Sequence, residues 1–182
     1  WSITALKRND FPAAQARLTR ARELVGNPPL PALWYWAATL AAAGAADADA
    51  AQELARAGVA AHPAHPVLRN NLAVLLETSG DLAGADAMLR AALAEDPSVP
   101  QLSKNLGDLL YRGGRYDEAA EAYERAAKLA PDLGDDLHFK LGNIAFKRRD
   151  RDRARAGWSR ATELNPGHQL ARANLDMLDA AS

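Results

Sequence analysis

Residues 100–133 read PQLSKNLGDLLYRGGRYDEAAEAYERAAKLAPDL, and the rest of the chain can be read outward from them. The spacing predicts one helix from about Gln101 to Arg112 and a second from about Tyr116 to Leu129, broken apart by Gly113 and Gly114. Leu106, Gly107, Leu110, Tyr116, Ala119, Ala120, Tyr123 and Ala126 place apolar or small groups at helical spacing. Gly107 and Ala119 are small enough to let the two helices touch. Asp117, Glu118 and Glu121 fall in the first turns of the second helix, where negative charge suits the helix dipole. Pro131 ends it, because proline lacks a donor and restricts the residue before it.

The same punctuation recurs. Pro63, Pro97, Pro131 and Pro166 lie 34, 34 and 35 residues apart, each closing an alanine-rich helical stretch. A fixed period of this length marks a stack of repeats. The following unit repeats Leu141-Gly142, Ala145, Asp150, Ala154, Trp158, Ala161 and Pro166, with one extra residue near Gly134-Asp135. The preceding unit has Leu72-Ala73, Leu76, Gly80-Asp81-Leu82, Ala85, Leu89, Ala92 and Pro97, with Ala73 where its neighbours have glycine. Upstream the pattern thins: Ala55 stands where a large residue is usual and Gly58 where alanine is, and Trp34, Tyr35 and Trp36 cluster in one helix. Trp34 and Trp36 should point apart, one into the core and the other outward. Asp10-Phe11, Ala14, Leu18 and Ala21 match a second helix near the start of the chain.

These units resemble the tetratricopeptide repeat, whose period is 34. The resemblance implies an all-α, right-handed α-solenoid of helix-turn-helix repeats, about ten helices in one array over 1–182. The units are a partial repeat 1–27, a linker 28–31, repeats 32–65, 66–99, 100–134 and 135–168, and a capping helix 169–182.

Composition agrees with that class and excludes others. Of 182 residues 42 are alanine, the best helix former, and 48% are hydrophobic, above the disordered range. The 22 basic and 23 acidic residues nearly cancel, which removes a global footprint for nucleic acid. With no cysteine there is neither a disulfide nor a thiolate metal site, and four scattered histidines make no metal cluster. Zero cysteine fits cytoplasm and periplasm alike, and the alanine content points to a bacterial source. No apolar stretch is long enough for a membrane span, and none reads as a signal peptide. A start at Trp1 reads as an excised or processed piece. The chain lacks nucleotide-binding glycine loops, a zinc-protease motif and a serine-nucleophile motif, so neither catalysis nor a cofactor is expected.

In the family, the first (A) helices line a concave groove that holds a peptide or helix of a partner protein. Carried onto this chain residue by residue, the resemblance implies a groove lined by Asn70, Asn71, Lys104, Asn105, Asp108, Tyr111, Arg112, Phe139, Lys140, Asn143, Phe146, Lys147 and Asn174. Asn71, Asn105 and Asn174, interrupted by Lys140, resemble the family's asparagine ladder; a carboxamide both donates and accepts, so it can pair with any peptide unit. The alternative is that these asparagines bridge repeats or face water. Lys104, Arg112, Lys140 and Lys147 would favour an acidic peptide, although Asp108 beside Lys104 opposes them. Tyr111, Phe139 and Phe146 are candidate apolar pockets or core. Lys147 to Arg155 holds six basic residues and two acidic ones, a solvated face or a docking site for an acidic partner or a lipid surface. The acidic pair Asp135-Asp136 is expected to cap a helix start. The competing readings are a self-associating scaffold acting through its ends or convex face, and a regulatory segment of a larger enzyme.

Overall fold

The computed structural model describes residues 2–25 and 30–180, and among these every regular element is an α-helix. They are α1 (Ser2–Lys7), α2 (Phe11–Val25), α3 (Ala32–Gly44), α4 (Ala48–Ala61), α5 (Pro66–Thr78), α6 (Leu82–Glu95), α7 (Pro100–Arg112), α8 (Tyr116–Leu129), α9 (Asp135–Lys147), α10 (Arg151–Leu164) and α11 (Gln169–Ala180). Among the described residues that makes eleven, against about ten expected. The linker expected at 28–31 is described only at Leu30 and Pro31; its first two residues lie outside the described residues. The chain forms two compact units, Trp1–Asp96 and Pro97–Ser182. In the first, α3 packs on α4 and α5 on α6; in the second, α7 packs on α8, α9 on α10, and α11 against α10.

One turn design joins each A helix to its B helix. A residue with positive φ ends the A helix: Asn9 (56°), Ala46 (61°), Gly80 (89°), Gly114 (73°) and Arg149 (62°). The next N–H then reaches back to the final helical turn, as in Asp47 to the Ala42 carbonyl (3.0 Å), Asp81 to Leu76 (2.8 Å), Arg115 to Leu110 (2.9 Å) and Asp150 to Ala145 (3.0 Å). This satisfies carbonyls that a helix end otherwise leaves unpaired. Asp47, Asp81 and Asp150 also cap the following helix, accepting from the N–H groups of Ala50 (3.1 Å), Gly84 (2.9 Å) and Arg153 (3.0 Å). Arg115 makes no such cap.

Within each hairpin the core is filled by a trade of volume. Seven residues into the A helix stand Thr39, Ala73, Gly107 and Gly142; seven residues into the B helix stand Ala55, Leu89, Tyr123 and Trp158. All but the two glycines are at most 3% exposed. Where the A helix has glycine the B helix has a large ring: a Cβ on Gly107 would lie 2.6 Å from the Tyr123 ring, and one on Gly142 2.5 Å from that of Trp158. Thr39 and Ala55 invert the arrangement, which explains why Ala55 departs from the family pattern.

Two expectations change. Trp34 and Trp36 are both half-buried against the core of the first unit, rather than one buried and one exposed. The Trp34 indole donates to the Leu18 carbonyl (3.1 Å), which holds it between α2 and α3. Asp135 and Asp136 make no side-chain cap for α9. They reach other elements instead: Asp135 accepts from Asn165 in the turn after α10 (2.7 Å), and Asp136 pairs with Lys104 of α7 (2.8 Å). The five-residue turn 130–134, one longer than 96–99, precedes them.

Candidate functional site

The A helices carry most of the large apolar side chains that remain exposed. Counting from each helix start, the second and ninth positions are Leu33 and Leu40 on α3, Val67 and Val74 on α5, and Leu170 and Met177 on α11. All six are exposed, Leu33 at 58% and Leu170 at 63%. Residues seven apart share one face of a helix.

In the first unit α3 contains no charged residue. Leu33 and Trp36 of α3 and Val67 of α5 line an apolar cleft of about 250 Å³. Asn70 and Asn71 stand on α5 beside this stripe, and both are half-buried. The Nδ2 of Asn71 is enclosed without a hydrogen-bond partner.

On α7 and α9 of the second unit the matching positions are polar, and Asp108 and Asp136 are engaged with lysines. Asp108 accepts from the Tyr123 hydroxyl (2.7 Å), from Lys104 (3.1 Å) and from Lys140 (2.5 Å). Asp136 pairs with Lys104 (2.8 Å) and Lys140 (3.5 Å). Two lysines thus meet two aspartates, and their charges cancel. Burial opposes the charge on Lys104, but Asp136 and Asp108 outweigh it and hold the ammonium above its ordinary pKa. Burial likewise opposes ionisation of Asp136, but the two lysines hold that carboxyl below its ordinary range. Burial first, and then Asp108, push the Tyr123 hydroxyl well up, so it stays a donor.

Asn143 ties three helices together. Its Oδ1 accepts from the Trp158 indole (2.9 Å) and from Asn174 (3.4 Å), while its Nδ2 faces the Tyr111 hydroxyl at 3.5 Å. Asn174 thus reaches across to Asn143 of the preceding repeat. Asn105 accepts from Gln101 (2.8 Å) within α7. Phe139 packs against the core cluster and His168, with ring centres 4.6 Å apart. Phe146 is exposed with its ring beside Trp158 (5.5 Å). Tyr111 stands edge-on to Tyr116 (5.3 Å), and the Lys147 ammonium lies 4.8 Å over the Tyr116 ring. Arg112 is exposed at the end of α7. The structure thus brings together Lys104, Asp108 and Lys140, and separately Tyr111, Asn143 and Asn174.

Leu33, Leu40, Val67, Leu170 and Met177 escaped the reading of the sequence. Their signal was a leucine, valine or methionine at the second and ninth positions of α3, α5 and α11. Among the described residues no cluster of three metal-ligating side chains exists, and no helix is long and apolar enough to cross a membrane.

The comparisons agree with this architecture. Residues 70–133 match the tetratricopeptide repeat family model. Among solved structures, MamA is 17% identical with a TM-score of 0.77, over 91% of this chain and 94% of that one. YrrB, described as a tetratricopeptide-repeat protein with an unusual peptide-binding site, is 19% identical with a TM-score of 0.74, over 95% and 87%. The Cut9–Hcn1 hetero-tetramer of APC/C is 17% identical with a TM-score of 0.77, over 97% of this chain and 34% of that one. No curated protein matches the chain in sequence.

Proposed function

We propose, from a fold shared with tetratricopeptide-repeat structures and a match to that family's model over residues 70–133, that the chain is a protein-interaction module without chemistry of its own. It holds a segment of a partner protein on its A-helix face. One observation carries the reading: leucine and valine side chains stay exposed at a single register on α3 and α5 of the first unit. Exposed apolar side chains of this kind around a cleft, here that of Leu33, Trp36 and Val67, mark an interaction site. Lys104 and Lys140 are neutralised by Asp108 and Asp136, so the partner segment is held mainly through apolar side chains rather than through acidic ones. Asn71 meets the segment's backbone, while Asn143 and Asn174 join neighbouring repeats of the second unit. The peptide-binding site named for YrrB supports the same class of function.

The test is affinity capture from the source organism with the native chain and with a Leu33→Asp/Val67→Asp variant. Both sites are exposed, so helicity by circular dichroism should persist. A partner held by the native chain and lost by the variant supports the reading. A partner held equally by both removes the A-helix face from it.

A further inference from the structure

The second unit has a cavity of about 420 Å³ on the side of α9 away from the A-helix stripe, between α8, α9 and α10. Leu141, Ile144 and Ala145 of α9 line it, with Ala120 of α8 and Ala156 and Gly157 of α10. Short side chains keep it open. A Cβ on Gly157 would lie 2.7 Å from the Gly142 nitrogen and 2.9 Å from the His138 carbonyl, so α10 rests directly on the α9 backbone there. In the first unit the α4–α5–α6 step has Met88 at the position of Gly157. There Gln52 donates to Ser79 (3.2 Å), joining the positions that Ala120 and Arg148 hold in the second unit. A cavity of about 400 Å³ at the α2–α3–α4 step has Arg22 as its sole charged lining residue.

The rim of the α8–α9–α10 cavity is bipolar. Arg148 and Arg153 stand at the α9–α10 turn, within a run from Lys147 to Arg155 of six basic and two acidic residues. Glu124 lines the α8 side and continues an exposed acidic row with Asp117 and Glu121. Arg148 pairs with Asp117, and Arg153 lies 3.5 Å from Asp150 with its side chain 73% exposed. A bilayer or nucleic-acid surface carries one sign of charge and would be repelled by the α8 row. A peptide can carry both signs.

We propose that this cavity takes one large apolar side chain of a partner-protein segment, with an acidic residue of the segment meeting Arg153 and a basic residue meeting Glu124. Small apolar clefts with a few placed polar groups are the usual form of an anchor site. The site is separate from the A-helix face and does not depend on the function proposed for it.

The experiment selects binders to the full chain from a random-peptide display library, then titrates the synthesised peptides by fluorescence anisotropy. Ala156→Trp fills the cavity, Arg153→Glu reverses its rim, and Leu33→Asp/Val67→Asp alters the other face. The expected result is a class of peptides with an apolar residue between opposite charges. Ala156→Trp should weaken this class about tenfold or more, and Arg153→Glu should weaken it in a way that exchanging the peptide's acidic residue for lysine restores. The Leu33→Asp/Val67→Asp variant should bind it unchanged. Since Arg153 is largely exposed, its variant keeps the test valid if Ala156→Trp unfolds the unit. Absence of any peptide sensitive to Arg153→Glu overturns the proposal. So does Arg153-dependent binding to phosphatidylserine vesicles that competes with the peptides.

Discussion

Asp108 concentrates the electrostatics of the second unit in one carboxylate, shared by a tyrosine and two lysines from α7, α8 and α9. Tyr123→Phe removes one charge-assisted hydrogen bond from a fully buried ring and should cost about 1.5–3 kcal/mol. Urea unfolding would read this as a lower midpoint at unchanged slope. The network also sets a pH window. Asp136 titrates below its ordinary 3.8, so its contribution is complete above that value and lost as pH falls through the folded pKa. Lys104 titrates above its ordinary 10.5, so its contribution is complete below that value and lost as pH rises through the folded pKa. Asp136→Asn should flatten the acid limb of a stability-versus-pH curve, and an unchanged limb would remove Asp136 from the account. The proximity of Lys104 to Asp108 was legible as a four-residue spacing on one helix. The reach of Lys140 and Asp136 to them was not, because it depends on how closely α7 and α9 approach.

Helix ends were the easiest elements to read, since prolines and glycines announce them at a constant period. The turn geometry was legible only where glycine supplies it. Gly80 and Gly114 occupy positive φ at no steric cost, but Ala46 (61°) and Arg149 (62°) hold the same conformation without a sequence signal. Ala46→Gly should therefore raise stability by about 0.5–1 kcal/mol, relief of the left-handed strain outweighing the added chain entropy; a lower melting temperature would contradict this. Gly142→Ala should act in the opposite direction despite alanine's better helix propensity. Its Cβ would meet the Trp158 ring at 2.5 Å and the Ala154 carbonyl at 3.0 Å, and overpacking of this kind costs about 1–3 kcal/mol. Asp135 and Asp136 show the limit of local reading: acidic residues at a helix start suggest a cap, but their partners lie on α7 and in the turn after α10.

Across the molecule, the 34-residue period disclosed the helix-turn-helix class, because every unit must bury its apolar side against a neighbour. The period said little about what stays uncovered. The exposed Leu33, Val67 and Leu170 sit among residues that look like core in a linear reading, and the α8–α9–α10 cavity arises from four small residues on three helices. The second unit has an apolar core of its own, centred on Tyr123, Leu137, Ile144 and Trp158. Residues 97–182 alone should accordingly give a helical circular dichroism spectrum with a cooperative thermal transition; a gradual, non-cooperative loss of signal would show that the unit needs the rest of the chain.

The volume trade between Gly107 and Tyr123, and between Gly142 and Trp158, is struck inside single hairpins. A whole hairpin can therefore be transplanted, duplicated or deleted without disturbing that fit, whereas a single helix cannot. Grafting the α8 sequence opposite α5 would drive a tyrosine ring against the methyl of Ala73, and grafting that of α6 opposite α7 would leave leucine in the space shaped for a ring. The currency of evolutionary exchange in this chain is the helical pair, and recombination breakpoints are tolerated at the proline-marked joints between pairs.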